Sequence, residues 1–118
     1  ELRRALQLQL EIISDLSFLA VAQAGQGQLE KALETAREAL ALLESHPHHS
    51  ELPQLYLNHY RVLAANDDPM AETYLQQAAD ALQAQAQRIS DPALRKQFLA
   101  QVRVGREIEA SLKALTAG

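Results

Sequence analysis

Apolar positions along this chain recur with a helical period, and no stretch alternates convincingly at period two. At the start Leu2, Ala5, Leu6, Leu8, Ile12 and Ile13 fall near that period. From Ser14 to about Gln26 the pattern changes stripe: Leu16, Leu19, Ala20 and Gln23 share one line, Phe18 and Val21 another. Gly25 and Gly27 end it. Leu29, Ala32, Leu33, Ala36, Ala39, Leu40 and Leu43 then predict a helix over about 29–45 with Glu30, Glu34, Arg37 and Glu38 opposite. "SHPHHSELP" (45–53) reads as a loop punctuated by Pro47 and Pro53. Helices over about 54–65 and 70–89 follow, divided by "NDDP" (66–69). Ser90 or Asp91 can cap a further helix, about 93–101, with Pro92 in its first turn where no N–H is needed. "VRVG" (102–105) bends or breaks the chain before a last helix to about 115. The expectation is an all-α fold.

The segments also repeat. "RRALQL" (3–8) and "REALAL" (37–42) align at a shift of 34 residues, pairing Arg3 with Arg37, Ala5 with Ala39, Leu6 with Leu40 and Leu8 with Leu42. Leu16, Leu19, Ala20, Gly27, Leu29, Ala32, Ala36 and Ala39 stand where a helix–turn–helix repeat motif has a large residue, Leu, a small residue, a turn Gly, an aromatic, Ala, an aromatic and Ala. On these residues 14–47 resembles one tetratricopeptide repeat, with Leu29 and Ala36 in place of aromatics and Gln23 in place of Tyr. Residues 1–13 then resemble the second helix of a preceding repeat. "ADAL" (79–82) echoes "REAL" (37–40) at a shift of 42, making 52–89 a longer, irregular repeat and 91–117 a C-terminal cap. The resemblance implies a tetratricopeptide-like α-solenoid of antiparallel helix pairs, wound right-handed and closed by a capping helix. Alanine at positions 32 and 39 lets neighbouring helices approach closely, where Leu would overpack.

A second resemblance covers 60–110. "DPALR..FL..V..RE" after an Asp-Asp-Pro turn is similar to the C-terminal helical repeats of large bacterial signalling ATPases of the STAND class and their adenylate-cyclase-linked relatives. It implies a sensor or scaffold region of a larger regulator. The phosphate-binding GxxxxGK[ST] loop is absent, so no ATP site is expected.

Composition narrows the partners. Of 118 residues, 47% are hydrophobic and 22% charged, which suits a packed domain rather than disorder. A net charge of −4 gives no general attraction for nucleic acid or anionic lipid. The chain has no cysteine, which removes disulfides and thiolate chemistry and fits a cytoplasmic protein. No stretch approaches about eighteen consecutive apolar residues, so no membrane span is expected. Beginning within an amphipathic helix, without an initiator Met or a signal peptide, the sequence reads as a fragment of a longer protein.

Candidate chemistry is sparse. His46, His48 and His49, with His59 apart and Glu51 near, invite a metal site, but the H-x-H-H spacing lies in a Pro-containing loop and reads as solvated. Asp67 and Asp68 precede Pro69 in a turn and serve backbone geometry. Arg95, Lys96, Arg103, Arg106 and Lys113 form a solvated basic face without interleaved aromatics. No catalytic motif, cofactor or metal site emerges, so an enzyme is not expected.

What is left is binding. The tetratricopeptide alignment assigns Ser14, Ser17, Phe18 and Val21 to a concave groove, with Tyr56 and His59 as neighbours. The family's carboxylate clamp of Lys, Asn and Arg has no counterpart at 14, 17, 18 and 21, so the resemblance implies a groove for an apolar protein segment. The expectation is a protein–protein interaction module; the alternative is a structural cap with no ligand. Residues 1–13, lacking a helix partner, expose an apolar edge through which a homodimer is a further expectation.

Overall fold

The computed structural model describes residues 1–117, which form six α-helices and no strand. They are α1 (Leu2–Gly25), α2 (Leu29–Leu43), α3 (Leu52–Ala65), α4 (Ala71–Gln87), α5 (Pro92–Gln101) and α6 (Arg103–Ala117). The boundary expected at Ser14 is absent. α1 runs unbroken for 24 residues, because neither Gly nor Pro interrupts it before Gly25. Its Ser14 hydroxyl bonds to the Glu51 carboxylate at 2.7 Å instead of capping a new helix. Residues 1–13 are therefore the first half of α1 and not a separate helix.

α1 and α2, joined by three residues, pack as an antiparallel hairpin, and α3 and α4 form a second. Their turns are the same structure. In the first, the N–H of Gly27 bonds to the Ala24 carbonyl at 3.1 Å and that of Gln28 to the Gln23 carbonyl at 2.9 Å. In the second, Asp67 bonds to Ala64 at 3.0 Å and Asp68 to Leu63 at 2.9 Å. Gly27 (φ 83°) and Asp67 (φ 54°) both sit in the left-handed region that such helix endings require. Gly27 thus aligns with Asp67, 40 positions on, while Leu33 and Ala36 still align with Leu75 and Ala78 at 42. Two residues inserted beside Pro69 account for the difference.

The hairpins join through small residues. Ala20, Ala32 and Ala36 are buried with Val62 where α1, α2 and α3 meet, so the alanine face of α2 holds no room for larger side chains. Farther along the seam, Ile13, Leu43 and Leu55 close the same junction. A second core gathers Leu57, Leu75, Ala78 and Leu82 with Ile108 of α6. α6 approaches closely at Gly105, where an added Cβ would lie 3.0 Å from Leu82 Cδ2 and 3.2 Å from the Leu99 carbonyl oxygen. α5 buries no residue fully. Asp91 caps it by accepting from the N–H of Ala93 at 2.8 Å, and Arg95 donates back to the Ile89 carbonyl at 2.8 Å. The molecule measures 49 × 44 × 19 Å, a slab about two helices of ~10 Å thick.

α1 outlasts its partner α2, which has 15 residues, so its first half projects beyond the hairpin. There Leu2 is 92% and Leu8 57% exposed. Among the described residues this one helix is long and apolar enough to cross a membrane by length and composition; its second half packs on α2 and α3, burying Ile13, Ser17, Ala20 and Gln23.

Candidate functional site

The six residues assigned to a groove do not form one surface. Ser14 is half-buried and tied to Glu51. Ser17 is buried, its hydroxyl accepting from Asn58 Nδ2 at 3.1 Å. Val21 packs on the Ala20–Ala32–Ala36–Val62 cluster. Phe18 alone stands well exposed, at 47%. Tyr56 and His59 turn the other way, toward α4: their rings lie 6.3 and 4.4 Å from that of Tyr74, the latter edge-on. His59 is buried, and that burial lowers its pKa from 6.5, with Asp68 opposing the shift and Arg37 reinforcing it. Burial likewise raises the Tyr56 phenol above 10.0, with Tyr74 and Glu44 acting in the same sense.

The turn alignment explains this outcome. Carried forward by 40 positions, Ser14, Ser17, Phe18 and Val21 fall on Gln54, Leu57, Asn58 and Arg61, while Tyr56 and His59 correspond to Leu16 and Leu19. On α3 the aligned row is Gln54, Leu57, Asn58 and Arg61; Leu57 is buried in the second core, and the three polar residues, with Glu51 at the helix N-cap, are spaced to share one face. These residues form a polar ladder. Ser14 donates to Glu51, Gln54 Nε2 donates to Asn58 Oδ1 at 2.9 Å, and Asn58 donates to Ser17. Arg61 pairs with Glu107 of α6 at 3.5 Å, and Arg103 donates to the same carboxylate at 3.3 Å. α1 and α3 pack side by side, α3 meets α6 through Arg61 and Glu107, and Phe18 of α1 is exposed. Asn58 was missed in the sequence because a polar residue at a buried helix position has no local signature. The match of Gly27 with Asp67 is the signal that would have found it.

Beneath this face, α1, α2 and α3 enclose a cavity of about 10 Å³ lined in part by Ser17, Asn58, His59 and Ala36. That is at the lower limit for a single water, so it holds no organic ligand.

His49 also departs from expectation, since it is buried rather than solvated. Its Nδ1 accepts the N–H of Glu51 at 3.0 Å, which places the ring proton on Nε2, 3.1 Å from the Leu10 carbonyl oxygen. Ser14 Oγ lies 3.5 Å from the same nitrogen. This Ser–His–Glu grouping does not activate a nucleophile: Nε2 already carries a proton, and the Ser14 hydroxyl gives its own to Glu51. Its effect is to clasp the α2–α3 loop to α1. Among the described residues, no group of three or more His, Asp or Glu side chains is arranged to hold a metal ion.

No protein-family model, curated protein or solved structure matches the chain.

Proposed function

We propose that this chain is a tetratricopeptide-type repeat module that binds a protein segment across the face shared by α1, α3 and α6. The observation that carries the reading is the pair of hairpins closed by one repeated turn, with their first helices side by side and Phe18 exposed between polar rungs. A segment lying there would place an apolar side chain on Phe18 and polar groups against Gln54 and the Arg61–Glu107 pair. In this reading the array continues as a right-handed solenoid within a sensor or scaffold region of a larger cytoplasmic bacterial regulator, as the resemblance to STAND-class repeats suggests. The chain acts by binding and not by catalysis.

A second reading, a structural cap, is favoured by one feature: α5 and α6 lie over α4 while the outer edge of α1 stays open. Affinity capture with the wild type, Phe18→Asp, Arg61→Glu and the control Gln83→Glu separates them, circular dichroism verifying each fold. Loss of a captured protein with the first two variants and retention with the control supports the binding face. Equal capture by all four, or by none, leaves the cap.

A further inference from the structure

We infer that the projecting half of α1 pairs antiparallel with α1 of a second copy of this chain. The surface involved differs from the α1–α3–α6 face; it is the edge of α1 on which a continued array would pack, and the two are alternative occupants of that edge. Leu2, Leu6, Leu8 and Ile12 are 92%, 48%, 57% and 42% exposed, and residues 1–9 are all exposed. Ala5, Leu8 and Ile12 form a stripe at coiled-coil spacing.

Charge selects the occupant and its direction. Arg4 and Glu11 stand one heptad apart, both flanking the Leu8 stripe on the same side. Among the described residues neither takes part in an ion pair within the chain. Glu11 only accepts from Gln7 Nε2 at 3.3 Å. With Glu1, Arg3, Gln7 and Leu8 they make up one exposed surface of α1. An antiparallel helix centred near Leu8 sets Arg4 against the partner's Glu11 and Glu11 against the partner's Arg4. A two-fold axis makes both pairs from one sequence, so the surface is complementary to itself. A parallel pair would put the two copies' Arg4 and Glu11 on opposite flanks of the seam, so that neither pair forms. The contact is confined to a few turns of one helix, so a weak, concentration-dependent dimer is expected.

Sedimentation equilibrium on the whole chain tests the pairing, with Leu8→Glu, Arg4→Glu, Glu11→Arg and the swap R4E/E11R. These positions are exposed, and circular dichroism verifies that each variant folds. The expected result is a concentration-dependent dimer, weakened at least tenfold by each single change and restored to within about threefold by the swap. A wild type monomeric at 500 µM overturns the inference, as does a dimer indifferent to Leu8→Glu. A swap that fails to restore association overturns the antiparallel register. Cosedimentation with phosphatidylcholine vesicles, lost in Leu8→Glu while the free chain stays monomeric, would assign the stripe to a membrane surface and overturn it too.

Discussion

Replacing Ala36 by Leu tests whether the two hairpins meet through deliberate close packing. Ala36 is 2% exposed and faces Ala20, Ala32 and Val62. It also lines a cavity of about 10 Å³ at that junction. Leucine adds three carbons, and that volume does not accept them, so α1 and α3 must shift or the side chain must leave its rotamer. The cost is about 1–3 kcal/mol, despite the greater apolar surface a buried Leu removes from water. For a chain of 118 residues unfolding with ~2.1 cal/mol/K per residue, each kcal/mol lowers Tm by about 4 °C. Urea unfolding followed at 222 nm should therefore show a lower midpoint, and thermal unfolding a Tm lower by about 4–12 °C. Ala22→Leu, on an exposed position of α1, serves as control and should stay within about 0.5 kcal/mol. An Ala36→Leu variant as stable as the wild type would refute the close-packing argument.

Two further predictions concern the repeated turn and the buried imidazole. Gly27→Ala forces a Cβ into φ 83° and should cost about 1–2 kcal/mol, whereas Asp67→Gly at φ 54° should be neutral or mildly stabilising; chemical denaturation of both variants checks the pair, and an unharmed Gly27→Ala would contradict the turn geometry. Because burial lowers the folded-state pKa of His59 beneath 6.5, the unfolded chain binds more protons as pH falls through that value, so this residue's contribution destabilises the fold on acidification below about pH 6.5. Replacing His59 by Phe should flatten that part of the stability profile between pH 7 and 5, and an unchanged slope would exclude His59 as its source.

Much of this architecture was legible because punctuation in the sequence is physical. Gly27, Pro53, Asp67 and Pro92 each impose or favour a backbone geometry that regular helix interior does not continue, and observed helices end or begin beside each of them. Hydrophobic period alone misled at Ser14. The stripe changes there not because the helix ends but because α1 acquires neighbours: beyond the end of α2 its apolar residues face solvent, and farther on Ile13, Ser17 and Ala20 are buried. Tyr56 and His59 were placed in the groove by a register that aromatic residues suggest and the turn overrules. Their rings serve the α3–α4 contact, and the α3 counterparts of 14, 17, 18 and 21 are Gln54, Leu57, Asn58 and Arg61. His49 could not be read at all, since its burial depends on the Leu10 carbonyl and Ser14, neither of which is near it in sequence.

The most direct measurement is site-specific photocrosslinking in source cells, with a photoreactive side chain at Phe18 and, separately, at Gln83, an exposed position of α4. A protein partner crosslinked from position 18 and not from 83 is the predicted result. Crosslinks from 83 alone, or an identical set from both positions, would contradict the claim that the face shared by α1, α3 and α6 does the binding.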